Sequence, residues 1–264
     1  MSRLYYLFSR TLAILILAAF VGIVVYLVYN GLKELNLSLI TNELKAPLIG
    51  TICLVLLSVA IALPLGVASA IYIEFYAPKR LQKILDFSFE MLASVPSIVM
   101  GLFGFSLLLF LHNIFSEIKS SLALASVSVA FLILPYITKA TILGFRDILP
   151  HFRLIGYALG ANKDALIKKI ILPLAKEHIT KGALLAVARA SEDTAVIMLT
   201  GVVASYGIPD GLFKPFEALP FFIYYTSANY SSEAEFNAIF VAILMLLAIS
   251  FSIMALIRGK IWLR

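Results

Sequence analysis

Apolar residues dominate six long stretches of the chain, and charged residues collect mainly between them. A helix needs about 20 apolar residues to cross a hydrocarbon layer of roughly 30 Å. In lipid the backbone must satisfy its hydrogen bonds within the segment, and these stretches are too long and uniform for barrel strands. The pattern predicts an all-α, polytopic membrane protein with six transmembrane helices. The predicted helices cover Thr11 to Asn30, Leu48 to Ile73, about Ile84 to Leu111, Ser121 to Leu143, about Ile179 to Ala204, and Phe236 to Ile257.

Composition and charge agree with this architecture. Of the 264 residues, 62% are hydrophobic and 14% are charged, and the mean hydropathy of +1.01 exceeds what a soluble core of this length holds. Lys and Arg concentrate in alternate loops, with 15 on one predicted side and 4 on the other, so both termini are predicted to be cytoplasmic. The net charge of +6 is thus a topology signal, and no nucleic-acid partner is expected. The first stretch is longer than a signal-peptide core and is interpreted as a membrane anchor.

The sequence lacks the motifs of an ATPase, a metal site or an enzyme. No G-x-x-x-x-G-K-[ST] occurs, so no loop of that type holds ATP phosphates. Cys53, the single cysteine, and the three histidines do not stand at metal-ligand spacing. No nucleophile is paired with a base. We therefore predict a non-enzymatic chain that binds no metal or cofactor itself and takes its energy from another subunit.

The longest predicted cytoplasmic segment, 145–176, has an internal pattern. Pro150 is placed to begin a short helix and Gly160 to end it, and a second helix is predicted from Asp164 to Leu172 before Pro173. Two interpretations are open: a helix lying on the lipid, or a surface that another protein approaches closely. The apolar stripe of the first helix consists of Phe152, Ile155 and Leu159.

Gly160 is followed, after nine residues, by the run Ile170 to Pro173. This spacing resembles the cytoplasmic signature of ABC importer permeases, E-A-A-x3-G-x9-I-x-L-P, although Leu-Ile-Gly stands here in place of Glu-Ala-Ala. In that family the segment forms the coupling helix that docks on the ATPase subunit. The coupling residues that the resemblance implies are Leu154, Ile155, Gly156, Ala158, Leu159, Gly160 and Ala161.

Further stretches resemble the permeases of phosphate importers, in particular those of the PstA type. The run Ala188 to Ala195, A-R-A-S-E-D-T-A, is similar to that family's A-R-A-x-G-E-T-A, and Lys139 stands where the family usually has Arg. The other matching stretches are Gly50-Thr51, 71–78 (I-Y-I-E-F-Y-A-P), 95–103 (V-P-S-I-V-M-G-L-F), Leu134-Pro135, 145–150, and Leu219-Pro220 with Ile223-Tyr224.

The resemblance implies an ABC importer permease of type I, MetI-like architecture in the cytoplasmic (inner) membrane of a prokaryote, translocating inorganic phosphate. The implied partners are an ATP-binding cassette ATPase dimer that binds the ATP, a second related permease subunit, an extracytoplasmic phosphate-binding protein, and membrane lipid. The implied organisation is a helix with an external loop at 1–47, a core of five helices at 48–257 that includes the coupling segment, and a tail at 258–264.

Three charges stand inside the fifth apolar stretch: Arg189, Glu192 and Asp193. A central charge costs on the order of 2.5 to 3.5 kcal/mol on insertion scales, so these residues need partners or water. In a continuous helix they share one arc, which predicts a face turned towards a cavity or a partner subunit. Either acid is within reach of Arg189. A cluster that only neutralises itself is the alternative.

We predict an anion pathway at these charges, because a guanidinium fork suits oxyanion geometry and an ammonium adds a point charge. The acids would hold Arg189 and keep anion binding weak enough for release. Lys139 reaching to the cytoplasmic edge, and a simple packing kink at Pro96, stay open as alternatives. The predicted pathway residues are Arg189, Lys139, Glu192, Asp193, Ser94 and Ser97.

Three classes of function remain for such a chain. An importer subunit explains both the docking segment and the intramembrane charges. A self-contained secondary carrier requires internal repeats with corresponding broken helices, and a membrane-embedded enzyme requires paired catalytic groups. The sequence favours the importer. Within that class a basic pathway suits tungstate, molybdate or sulfate as well as phosphate.

Overall fold

The computed structural model of the protein describes residues 2–115, 119–158, 160 and 162–262. The described residues form helices and no β-strand; a single isolated β-bridge joins Val202 and Phe216. The prediction of an all-α protein is confirmed. The helices are α1 Ser2–Lys33, α2 Leu37–Leu39, α3 Lys45–Ile71, α4 Lys79–Ser94, α5 Ser97–Ile114, α6 Leu122–Ala158, α7 Lys163–Leu166, α8 Leu172–Leu174, α9 Lys176–Glu192, α10 Ala195–Thr200, α11 Leu219–Asn229 and α12 Glu233–Trp262. Wider π-helical turns occupy Ile40–Leu44, Tyr72–Tyr76 and Ile167–Ile171.

Within the described residues, five helical stretches are long and apolar enough to cross a membrane. They correspond to the first, second, fourth and sixth predicted stretches and to the second half of the third. The fifth predicted stretch differs because it is divided between two shorter helices. The five spans are Tyr5–Lys33, Leu37–Tyr76, Ser97–Ile114, Leu122–Ile148 and Glu233–Ser252.

The prediction of one kinked third helix is wrong. The structure divides it into α4 and α5, with Val95 and Pro96 in extended conformations (ψ 128° and 137°) between them. Proline lacks an N–H group, and its ring disfavours the helical conformation at the preceding residue. At this position both effects end the helix instead of bending it.

The fifth predicted helix is also divided, at Asp193. Asp193 has a ψ of 121°, and its side-chain oxygen accepts a hydrogen bond of 2.8 Å from the N–H of Val196. An aspartate side chain competes with main-chain helix bonding in this way and caps the helix that follows. The expectation of an uninterrupted helix from 179 to 204 is therefore corrected.

The core is built around α3 and α6, with α9 packed beside them. Small residues permit the close approach. A methyl group built on Gly66 would lie 2.8 Å from Ile137, and one built on Gly182 would lie 2.6 Å from Ala140. Close backbone contact through small residues is typical of helices packed in a membrane, where lipid and side chains are equally apolar. α1 lies outside this core and packs on α12, with Tyr26 against Phe240.

The predicted start of a helix at Pro150 is wrong, because α6 continues through this residue to Ala158. A proline removes one main-chain hydrogen bond, and the turns on either side still carry the helix. The predicted end near Gly160 is confirmed: Gly160 has a φ of 77°, the left-handed conformation that glycine adopts at helix ends. Asn162 then caps α7, accepting a 2.8 Å hydrogen bond from the N–H of Ala165.

Candidate functional site

Arg189 and Asp193 form an ion pair at the break between α9 and α10. Arg189 Nη2 lies 3.0 Å from Asp193 Oδ2, and the Asp193 side chain is only 1% exposed. The other carboxylate oxygen of Asp193 accepts from Val196, as described above. One buried carboxylate therefore orients the guanidinium and begins α10. Of the two acids within reach, Asp193 is the one that pairs with Arg189.

Ser97 brings the second broken helix to the same place. Arg189 Nη2 donates to Ser97 Oγ over 3.1 Å, and Ser97 is the first residue of α5. Gly101, one turn into α5, faces α10 so closely that a methyl group there would lie 2.8 Å from the carbonyl oxygen of Ala195. The interruptions at Val95-Pro96 and at Asp193 are thus neighbours, and Arg189 spans them.

The guanidinium of Arg189 retains donors that these contacts do not use. Both contacts are made by Nη2, and the contacts among described residues leave Nε and Nη1 without an assigned acceptor. The side chain is 31% exposed. A charged group with free donors at a helix interruption is suited to bind an anion transiently.

Glu192 does not join this cluster, so the expectation that all three charges share one inward arc is wrong. Its carboxylate accepts a 2.8 Å hydrogen bond from Ser250 Oγ on α12, and the residue is exposed. The reason is the helix end: a common arc assumes a continuous helix, and α9 ends at Glu192. Ser94, at the end of α4, donates to the carbonyl oxygen of Met91 over 2.7 Å.

Lys139 forms ion pairs with two acidic residues of α4. Its Nζ lies 2.8 Å from Glu90 Oε1 and 3.5 Å from Asp86 Oδ1. Asp86 is shared with Arg146, whose Nη2 lies 2.6 Å from Asp86 Oδ2. Glu90 and Asp86 are thus both paired with Lys139. In this conformation carboxylates neutralise Lys139.

The predicted coupling residues that the structure describes lie at the C-terminal end of α6 and just beyond it. Leu154, Ile155, Gly156 and Ala158 belong to the backbone of α6, and Gly160 follows it. Leu159 and Ala161 lie outside the described residues. The segment after them is anchored: Leu166 and Ile171 are buried with Ile73 of the second π-helical turn and Phe145 of α6.

Several contacts were not found from the sequence alone. Gly50 and Thr51, noted only as part of a resemblance, hold the start of α11. Thr51 Oγ1 accepts a 2.9 Å hydrogen bond from the N–H of Leu219, and the α carbon of Gly50 faces the backbone of Glu217 with no room for a methyl group. The ion pair between Asp86 and Arg146 was likewise not predicted. For Asp86 a signal was present in the four-residue spacing of Gln82, Asp86 and Glu90, which predicts one polar helix face.

A cavity of about 530 Å³ lies on the predicted outer side, between the Val202–Ala218 loop, α11 and the start of α12. Among the described residues, three carboxylates line it and no Lys, Arg or His does, which makes it a poor anion site. Burial raises the pKa of one of them, Glu217, although the N–H groups of Gly207 and Tyr206 donate to its carboxylate. The three acids are Glu43, Glu217 and Glu235. Within the described residues, no group of three or more His, Cys, Asp or Glu is placed to hold a metal ion.

The chain matches a family of membrane transport proteins. Residues 62–259 match the model of the family described as binding-protein-dependent transport system inner membrane component. The chain is 33% identical over 203 residues to phosphate transport system permease protein PstA 1 of Mycobacterium tuberculosis, which covers 76% of this chain and 65% of that protein. It therefore spans just under two thirds of that relative's length.

Two other relatives are also named as PstA permeases, and a solved transporter structure has the same fold. Phosphate transport system permease protein PstA of Haemophilus influenzae is 30% identical over 213 residues, 77% of this chain and 73% of that protein. The probable PstA of Methanocaldococcus jannaschii is 25% identical over 253 residues, 93% of this chain and 88% of that one. An inward-facing structure of the MetNI methionine ABC transporter has the same fold, with a TM-score of 0.62, 14% identity, and coverage of 85% of this chain and 99% of that chain. The confirmed MetI-like architecture and the family match over most of its length show that the chain belongs to the binding-protein-dependent transport system inner membrane components, the membrane permease subunits of ABC transporters.

Proposed function

We propose that this chain is the permease subunit of an importer that moves inorganic phosphate into the cell, and that Arg189 is the residue the anion meets. The observation that carries the proposal is Arg189 itself, held by Asp193 and Ser97 where two broken helices meet. Named relatives of the chain are phosphate transport permeases, which supports phosphate as the substrate.

The Arg189–Asp193 pair suits weak, reversible binding of an anion better than tight binding. Asp193 fixes the guanidinium, and its negative charge weakens the pull of Arg189 on a second anion. Weak binding is an advantage here, because an ion that binds too tightly is not released. Ser97 supplies a hydroxyl that is able to donate to the same oxyanion once it turns from Arg189.

Lys139 has a second, conditional role in this proposal. It forms two ion pairs in the present conformation, so an anion would reach it only after Glu90 or Asp86 moves away. Lys139 would then assist Arg189 in one stage of the transport cycle and be neutralised in another. Glu192, bonded to Ser250, is assigned to the contact between α9 and α12.

The energy source and the partners are part of the proposal. ATP is bound and hydrolysed by an ATPase dimer, which docks at the cytoplasmic end of α6 near Gly160. A second, related permease subunit completes the pathway, and an extracytoplasmic phosphate-binding protein delivers the anion. Both termini are cytoplasmic in the inner membrane, as the distribution of Lys and Arg predicts.

The test is uptake of labelled phosphate in cells that lack this gene and in cells complemented with it, with tungstate and molybdate run in parallel. We expect phosphate uptake to fail in the first and to return in the second. Arg189→Ala should abolish uptake, and Arg189→Lys, which keeps the charge and loses the planar fork, should restore only part of it. Lys181→Gln, which removes an exposed pair with Glu177 on the same helix, is the matched control.

Three outcomes separate the parts of the proposal. Loss of tungstate or molybdate uptake with phosphate uptake intact keeps the importer and replaces the substrate. Normal phosphate uptake by Arg189→Ala removes Arg189 from the pathway. Normal uptake of all three oxyanions without the gene overturns the assignment to oxyanion transport.

A further inference from the structure

None of the 16 residues of α4 is buried within this chain. Leu85, Phe89 and Leu92 are only partly covered, on the edges of two apolar clusters. A helix in a packed core normally buries one face, and that burial supplies most of its stability. The attachment of α4 therefore depends more on its polar contacts than is usual.

Those polar contacts form a charge ladder, which we define as Glu74, Asp86, Glu90, Lys139 and Arg146. Arg146 joins three elements: its Nε lies 3.1 Å from Glu74 Oε2 on the second π-helical turn, and its Nη2 lies 2.6 Å from Asp86 on α4. Lys139, two turns earlier on α6, contacts Asp86 and Glu90. Glu74 and Asp86 are mostly buried, with side chains 12% and 20% exposed.

Extended residues flank α4 at both ends. Pro78 and Ala77 precede it in extended conformations, and Val95 and Pro96 follow it in the same way. Extended residues at both ends leave α4 without helical continuity to its neighbours. Beyond Pro96 lies Ser97, the residue that contacts Arg189.

The ladder also adjoins the segment that follows the predicted coupling residues. The π-helical turn that carries Glu74 ends at Tyr76, whose hydroxyl donates to Asp164 Oδ1 over 2.6 Å. Lys163 Nζ lies 4.1 Å from the centre of the Tyr76 ring. Any shift of α7 relative to α3 therefore acts on the turn that holds Glu74 and, through Glu74, on Arg146.

We propose that α4 is a movable element of this subunit, and that Arg146 is the positioning residue that latches it to α6 and to the π-helical turn. Removal of Arg146 leaves Glu74 and Asp86 mostly buried without their shared cation, a costly state that favours release of α4. Lys139 still lies 3.5 Å from Asp86, and Gln82 of α4 still donates to Glu74 over 3.1 Å, but Glu74 has then lost its ion pair. The consequence for transport rests on the proposed function; the latch itself does not.

The test is hydrogen–deuterium exchange of the α4 amides, 79–94, in the intact transporter complex in lipid nanodiscs. In Arg146→Gln we expect these amides to exchange about tenfold faster than in the wild type, equivalent to about 1.4 kcal/mol of lost protection. The amides of α6 from 129 to 142 should keep their rates. Arg146→Lys, which retains a cation, should recover most of the protection, and Lys181→Gln should match the wild type.

Asp86→Asn provides a second variant that does not depend on the folding of Arg146→Gln, and the same acceleration confined to α4 is expected. Unchanged α4 exchange in both variants overturns the latch, as does acceleration spread evenly over α6. Phosphate uptake is measured in the same variants and should fall about tenfold. If wild-type cells take up no phosphate through this protein, the proposed function fails, and the exchange rates of α4 still decide the latch.

Discussion

Asp193 offers the sharpest test of the site, because its two carboxylate oxygens serve different purposes. Oδ2 pairs with Arg189 at 3.0 Å, and Oδ1 caps α10 by accepting from Val196 at 2.8 Å. Asp193→Asn keeps an oxygen for the cap and loses the negative charge. Asp193→Ala loses both. The two substitutions therefore separate the ion pair from the cap.

The magnitudes follow from those contacts. A hydrogen bond to a charged group contributes about 1.5–3 kcal/mol, so Asp193→Asn should lower the free energy of unfolding by about 2 kcal/mol. The lost cap adds about 1 kcal/mol, which gives about 3 kcal/mol for Asp193→Ala. The exposed fraction of Arg189, 31%, keeps the first value below that of a fully buried pair.

The assay is unfolding by SDS titration in mixed micelles, with Glu192→Gln as the control on the neighbouring exposed acid. A double-mutant cycle with Arg189→Met should give a coupling energy of about 2 kcal/mol between Arg189 and Asp193. Equal stability of Asp193→Asn and the wild type would refute the ion pair as a stabilising contact. Equal stability of the Asn and Ala variants would refute the cap.

Three further predictions concern other parts of the chain. Gly160→Ala should destabilise the end of α6 by about 1–2 kcal/mol, because alanine is strained at a φ of 77°; the new methyl group itself has no atom within 4 Å to clash with. Limited proteolysis of the segment should therefore accelerate, and unchanged cleavage would contradict this. Thr51→Val leaves the buried N–H of Leu219 without an acceptor and should cost about 1–3 kcal/mol in SDS unfolding, whereas the exposed Thr41→Val should cost less than about 0.5 kcal/mol. Burial raises the pKa of Glu217 above its ordinary value of 4.5. The stability that Glu217 contributes is therefore full below pH 4.5 and declines as the pH rises through the raised pKa. Glu217→Gln should remove this decline from the pH dependence of unfolding, and a pH profile identical to that of the wild type would contradict the prediction.

Much of the architecture followed from hydropathy alone, because a membrane-spanning helix needs a long apolar run and little else. The runs that became α1, α3, α6 and α12 were located this way. Proline and aspartate at Pro96 and Asp193 were harder to interpret. Either residue is tolerated within a helix in some surroundings and ends it in others, and the choice is made by the neighbours that satisfy the freed backbone groups. Those neighbours are distant in the sequence.

The sequence singled out Arg189 as a charge that needs a partner, and it identified the side chains that contact Arg189 less well. Arg189 stood out because a charge in an apolar run is costly. The choice of Asp193 over Glu192 depended on the end of α9, which the sequence did not reveal. Lys139 was assigned to the pathway from its charge, and its two acidic partners lie on α4, 49 and 53 residues away. Helix-to-helix pairing at such separation has no signal in local spacing.

The measurement that tests the central claim most directly is ATP-driven accumulation of labelled phosphate by proteoliposomes that contain the intact transporter complex. Wild-type complex should accumulate phosphate when ATP is present on the side of the ATPase subunits, and Arg189→Ala should reduce the initial rate at least about thirtyfold, equivalent to about 2 kcal/mol of lost anion contact. Lys181→Gln should match the wild type. Phosphate accumulation by Arg189→Ala at the wild-type rate would contradict the account.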